Sequence, residues 1–338
     1  MLISVFNPEQ LSNTILKDAI KRRTTDIHFT PTDKTVGIYF RINGYRWFYK
    51  EIAFKHYQSL LSYYKFNSGM DIAEKFIPQN GTLTFEADNQ KYYLRLSTLP
   101  TNLNESLAIR LLSTNFFPQL KDLFLFQDQA DTLMKWMEAR AGIILTTGPT
   151  GSGKTSTMYA LIKEATERHG YQAITLEDPV EHPIRNLLQV QVNEKTGFDY
   201  HVGLKAALRH DPDMIMIGEI RDENTAKFAF RAAFTGHLVL STVHAKNAFG
   251  TIFRLREMGI KDVDMKEAII GICSQQLILT NQNVKKQIRG RAAIAELLTG
   301  DHLLKAIDGF PPHQHADYET FEHLRGKAHA LGYIPATS

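Results

Sequence analysis

The sequence predicts an α/β protein: a small α+β domain followed by a larger domain with a parallel sheet and a phosphate-binding loop. Three features carry that prediction. Residues 35–50 alternate apolar and polar side chains around Asn43-Gly44, the strongest short hairpin signal. Beyond residue 126, apolar strands alternate with helical segments, the pattern of a parallel sheet covered on both faces. Between the first of those strands and its helix stands GPTGSGKTST, Gly148 to Thr157, with the spacing G-x-x-x-x-G-K-[ST].

The first domain is expected over 1–114. Leu11, Ile15 and Ala19 recur every four residues and predict a helix. Val36, Ile38, Phe40 and Ile42 share one side of a strand, with Gly37, Tyr39 and Arg41 on the other. A helix is expected near FKHYQSLLSYYKF, a second hairpin turning at Asp88-Asn89, and a strand at SLAIRLL. Residues 115–125 read as a linker containing Pro118, and 126–338 as the second domain. There FQDQADTLMKWMEAR predicts a helix and GIILTT a strand into the glycine loop. Strands are expected at QAITLED, MIMIGE and LVLSTV, and helices at KTSTMYALIKEATERHG, HVGLKAALRH and NTAKFAFRAAF. Helices near 247–259, 263–277 and 317–332 are expected to close the chain.

Composition bounds the function. A chain of 338 residues is more than one compact core usually fills, and 43% hydrophobic with 22% charged residues suits a globular protein. A formal charge of +3, without a lysine-arginine stripe, gives no signal for a nucleic-acid partner. The single Cys273 excludes an internal disulfide framework and a cysteine-based zinc site within one chain, and fits a reducing compartment. No apolar run approaches the roughly 20 residues a bilayer span needs, and MLISVFNPEQ lacks the features of a signal peptide. A cytoplasmic protein is expected, whose membrane role would need a membrane-embedded partner.

The loop sets the chemistry. Gly148, Gly151 and Gly153 let backbone amides turn toward phosphate oxygens, with Pro149, Thr150 and Ser152 completing the cradle. Lys154 offers a cation to the β and γ phosphates, and Thr155 a hydroxyl to Mg²⁺. In MIMIGEIRD, Gly218 stands where many phosphate-loop enzymes keep a metal-holding Asp, which leaves Glu219 to polarise the attacking water. Its plainer reading is a surface glutamate opening a helix. Glu177 and Asp178 end an apolar strand where α/β ligand sites lie, and Pro179 stops that strand. Glu177 is the candidate to help with the metal; a solvated acidic turn is the alternative. His237 follows Thr235-Gly236, where it would contact a γ-phosphate, and His244 follows the strand end; both also read as structural. Arg95 and Arg110 alternate with Leu94/Leu96 and Ile109/Leu111, so both point away from the face those neighbours bury.

GPTGSGKTST, TLEDPVEHP, DPDMIMIGEIRD and TGHLVLSTVHAKNA together resemble the Walker A motif, Asp box, atypical Walker B motif and His box of the secretion-superfamily ATPases. Those hexameric motors power type II secretion and type IV pilus assembly and retraction. TTDIHF, FRING and LRLSTLPT resemble that family's second amino-terminal domain, and RGRAAIAELL its carboxyl-terminal region, so the resemblance covers nearly the whole chain. It implies a PAS-like first domain and a RecA-like second. It places the Asp-box glutamate on Glu177, the Walker B glutamate on Glu219, the His-box histidines on His237 and His244, and arginine fingers on Arg95 and Arg110. It further implies ATP and Mg²⁺, a homohexamer, and an inner-membrane platform protein as partner. The expected place is the cytoplasmic face of the membrane, without bilayer insertion or direct nucleic-acid binding.

Two departures narrow the resemblance. Secretion and pilus-extension members typically carry an extra amino-terminal domain and a four-cysteine zinc module; here NQNVKKQI alone separates SQQLILT from RGRAAIAELL, so no zinc is expected. The short, cysteine-poor pattern resembles the Gram-positive competence type, which assembles the pseudopilus used for DNA uptake. The pilus-retraction type is the near rival. Two other classes stay open. An ATP-binding switch or scaffold is opposed by intact Lys154, Thr155, Glu177 and Glu219, and a nucleic-acid translocase by the near-neutral charge.

Overall fold

The computed structural model describes residues 6–42, 44–87, 90–102, 104–113, 119–180, 184, 186–193, 197–281, 284, 290–315 and 317–335. The chain divides into two compact units, Met1–Phe116 and Phe117–Ser338.

In the first unit Asn7 caps α1 (Pro8–Lys21), its side chain accepting from the amides of Glu9 and Gln10. β1 (Asp26–Pro31), β2 (Thr35–Ile42) and β3 (Tyr45–Ala53) precede α2 (Phe54–Asn67), and β4 (Gln79–Ala87), β5 (Gln90–Pro100) and β6 (Glu105–Ser113) follow it. They form one sheet in the order β3-β2-β1-β6-β5-β4, every neighbouring pair antiparallel. Ile15, Leu16, Leu60 and Tyr64 of the helices pack with Val36, Ile38, Phe40, Leu94, Leu96 and Ile109, so one sheet face is the core face. Period-2 alternation puts Tyr39, Arg41, Arg95 and Arg110 on the other face. Gly44 takes φ +88°, as a tight hairpin requires. Asn43 and the Asp88-Asn89 turn lie outside the described residues.

The second unit contains α3 (Leu120–Leu123), α4 (Gln127–Trp136), β7 (Gly142–Thr147), α5 (Lys154–His169), β8 (Ala173–Glu177), β9 (Leu188–Gln191), α6 (Tyr200–Ala207), β10 (Met214–Ile220), α7 (Glu223–Phe234), β11 (Leu238–Val243), α8 (Ala248–Glu257), α9 (Asp262–Ala268), β12 (Ile269–Leu279), β13 (Arg291–Thr299), α10 (Gly300–Ile307) and α11 (Phe321–Ala330). The sheet order is β13-β12-β7-β11-β10-β8-β9, parallel except for β13, which runs antiparallel to β12. Ile143 and Leu145 enter one core and Ile144 the other, so β7 is covered on both faces.

The helix expected over 263–277 is corrected: it ends at Ala268, and Ile269–Leu279 is a strand. Pairing with β7 on one side and β13 on the other outweighs any local helical preference in this apolar run. Gly271 shows how close the packing is, since a Cβ there would lie 2.5 Å from the Trp136 indole.

A buried ion pair ties α2 to β6. Lys65 Nζ lies 2.6 Å from Oε1 and 2.8 Å from Oε2 of Glu105, and also donates to the Glu74 carbonyl. Lys65→Met would strand the Glu105 charge and should cost about 3–5 kcal/mol, whereas adding Glu105→Leu should recover most of it. Thermal unfolding of the single and double variants measures both.

Candidate nucleotide site

β7 is buried along its whole length and delivers the chain into the loop at Thr147. Gly148 follows with φ +137°, and a Cβ there would lie 2.3 Å from the Gln275 carbonyl oxygen. Gly153 takes φ +90°, with a Cβ position 2.9 Å from Gln275 Nε2. No other residue type fits at 148. α5 then starts at Lys154 with no side-chain cap, so its first amides face outward for an anion. Ser152 Oγ is buried with no hydrogen-bond partner among the described residues. Pro149, Thr150 and Gly151 form the exposed tip. Lys154 Nζ donates to the carbonyls of Gly148 (2.9 Å) and Pro149 (3.1 Å), folded over its own loop. Thr155 sits half-buried in the first turn of α5. Backbone glycines, an uncapped helix start and a lysine together fit a phosphate chain.

Gln275 on β12 anchors this loop from below, and the sequence reading missed it. Its buried side chain donates from Nε2 to the Ser152 carbonyl (2.7 Å) and accepts from Thr157 Oγ1 (2.8 Å). The available signal was a glutamine pair, Gln275-Gln276, inside an apolar run. The neighbouring Cys273 is buried too; burial pushes its thiol up to about 12, so it stays protonated and inert.

The same edge of the sheet gathers the carboxylates. β8 and β10 are neighbours, and only β11 separates β10 from β7, so Glu177 and Glu219 stand at strand ends beside the loop. Glu177 is 3% exposed and accepts from Thr175 Oγ1 (2.6 Å), Gln189 Nε2 (3.2 Å) and the hydroxyl of Tyr159 on α5. That excludes the solvated acidic turn for Glu177, whereas the adjacent Asp178 is exposed. Glu219 lies where the register of β10 against β11 shifts between Ile217 and Ile220. Its Oε1 is 2.9 Å from His244 Nε2 and its Oε2 accepts from Arg221 Nε at 2.6 Å. Tyr200 stands next to them. Burial, Asp178, Glu219 and Glu177 outweigh Arg221 and push its phenol up to about 12, so it stays protonated at neutral pH.

The structure thus brings Glu219 and His244 together but separates His237 from them. The Gly142 amide, at the start of β7, donates to the His237 carbonyl, so His237 lies at the opposite sheet edge. Six residues of β7 put roughly 17 Å between that edge and the loop. The His237 ring instead meets the Ala232 carbonyl (3.1 Å) and Thr235 Oγ1 (3.2 Å). His237 thus stands apart from the glycine loop of its own chain. In the first unit, Arg95 and Arg110 are cross-strand neighbours, and Arg110 Nε donates to Asp26 Oδ1 at 2.8 Å. Among the described residues no cluster of three or more metal-ligating side chains occurs.

Gln275→Leu keeps the volume near the loop but removes both anchors. ATP affinity, measured by calorimetric titration, should fall at least tenfold, about 1.4 kcal/mol, while circular dichroism stays unchanged.

Comparison with known proteins gives the family of the chain. The family model described as "Type II/IV secretion system protein" matches residues 6–308. Competence protein ComGA of Bacillus subtilis (strain 168) is 40% identical over 338 residues, covering 96% of this chain and 95% of that protein. The pilus retraction motor PilT, solved with bound ADP, superposes with a TM-score of 0.74 at 26% identity, over 96% of this chain and 94% of that one. The Legionella pneumophila ATPase DotB shares the fold, with a TM-score of 0.77 at 22% identity over 99% and 95% of the two chains. On the family match and the ComGA likeness, the chain belongs to the type II/IV secretion system protein family.

Proposed function

We propose that this chain is an ATPase motor that hydrolyses Mg-ATP and drives assembly of a type IV-like competence pseudopilus for DNA uptake. The observation that carries the reading is the loop 148–155 beside the carboxylates of Glu177 and Glu219 at one sheet edge. Lys154 exchanges its loop carbonyls for the β and γ phosphates. Thr155, with help from Glu177, would hold Mg²⁺, which would offset phosphate charge when bound. Glu219 takes the proton of the attacking water, and His244 and Arg221 orient its carboxylate. Arg95 and Arg110 of the first unit act on nucleotide carried by the second, where an arginine on the transition-state oxygens is worth about 10³–10⁵ in rate.

The working form in this reading is a homohexamer at the cytoplasmic face of the membrane, turning an inner-membrane platform protein. Among the described residues no helix is long and apolar enough to cross a bilayer. The likeness to ComGA across 96% of this chain favours pseudopilus assembly, and the likeness to PilT keeps retraction as the second reading.

Lys154→Ala and Glu219→Gln should both abolish turnover, for different reasons. The lysine change removes charge from the phosphates, so ATP binding falls as well. The glutamine keeps the cradle, so ATP binds and persists. In the host, Glu219→Gln should remove pseudopili and transformation. Wild-type hydrolysis by Glu219→Gln would exclude the assigned base, and lost turnover without any loss of pseudopili would exclude the assembly role.

A further inference from the structure

We infer that Asp26 is a positioning residue for Arg110, holding its guanidinium side-on so that the terminal amino groups face outward for a phosphate. The inference rests on the reading that Arg110 meets nucleotide.

Strand register builds an unusual row on the helix-free sheet face. Arg46 pairs with Arg41, Arg41 with Asp26, Asp26 with Arg110, and Arg110 with Arg95. Four guanidinium-bearing positions thus stand in a row with one carboxylate, although like charges on directly opposed strand positions repel. The two outer arginines on β2 and β3 find local partners. Arg46 stacks 3.8 Å from the Tyr39 ring centroid and donates to Thr30 Oγ1, and Arg41 donates to the Gly44 carbonyl. Arg110 is tied to Asp26.

The geometry of that tie is specific. Asp26 Oδ1 accepts from Arg110 Nε at 2.8 Å, while Oδ2 accepts from Thr25 Oγ1 at 2.9 Å and stands 4.0 Å from Arg41 Nε. The Asp26 side chain is 13% exposed and that of Arg110 60%. Burial works against the carboxylate, but hydrogen bonds from Arg110 and Thr25 hold it below the usual carboxylate range, so it stays ionised. A carboxylate serving only as a counter-ion would favour the two-pronged arrangement that arginine offers. Here, among the described residues, Arg110 is gripped at Nε alone, which fixes the planar group and leaves the prongs for paired phosphate oxygens. Rigid support of this kind saves orientation at the moment of reaction.

The test is a double-variant cycle in ATP turnover of the full-length protein, with thermal unfolding as the check on folding. Arg110→Ala should be slow. Asp26→Ala should lower kcat by on the order of tenfold to a hundredfold with KM within about twofold. The Asp26→Ala/Arg110→Ala pair should be no slower than Arg110→Ala, and Asp26→Asn, which keeps an acceptor for Nε, should stay within about threefold of wild type. Asp26→Ser replaces the alanine change if the latter does not fold. A slow Arg110→Ala beside a wild-type Asp26→Ala overturns this inference alone. A double variant slower than Arg110→Ala, or an asparagine as damaging as alanine, overturns it too. Wild-type turnover by Arg110→Ala removes the underlying reading.

Discussion

A backbone carbonyl that leaves no room for a side chain organises the second unit. The Gln275 oxygen lies where a Cβ on residue 148 would stand, so β12 and the loop can meet only through glycine. That contact requires β12 to lie directly beside β7, which in turn presses Gly271 against Trp136. Once β12 is in place, its Gln275 side chain ties Ser152 and Thr157 down, and the start of α5 is aimed along the edge of the sheet. The phosphate cradle is thus a consequence of strand packing as much as of its own glycines.

Parallel topology supplies the rest of the site. Because β7, β11, β10 and β8 all run the same way, their carboxyl ends share one edge, and the loop, His244, Glu219 and Glu177 gather there. The two carboxylates are held differently. Glu177 is buried among hydroxyl and amide donors, a setting for a fixed acceptor, whereas Glu219 is bracketed by the exposed Arg221 and by His244. A water-activating group needs such replaceable partners, and a metal-supporting group needs the stiffer cage. The division of labour in the proposed mechanism follows from that contrast.

Much of this was legible in the sequence. Four-residue periodicity, alternation and the glycine spacing each report a local rule, and the helix starting at Lys154 and the strands ending near Glu177 and Glu219 obey those rules. What escaped depends on distant partners. Ile269–Leu279 became a strand through pairing on both sides, and Gln275 gained its role from residues more than a hundred positions earlier. His237 was read beside the phosphate from the Thr235-Gly236 turn before it, but the strand Leu238–Val243 between it and His244 puts the two at opposite sheet edges. The tie between Asp26 and Arg110 spans 84 positions, which no local pattern reports.

The most direct measurement is the structure of the full-length protein bound to Mg²⁺, ADP and aluminium fluoride, a mimic of the transferring phosphoryl group. The account predicts the fluoride group over the amides of residues 151–155, with Lys154 on it, Glu219 facing the in-line water and Glu177 within one water of the metal. A nucleotide seated elsewhere would contradict it. So would a Glu219 carboxylate turned away from the water.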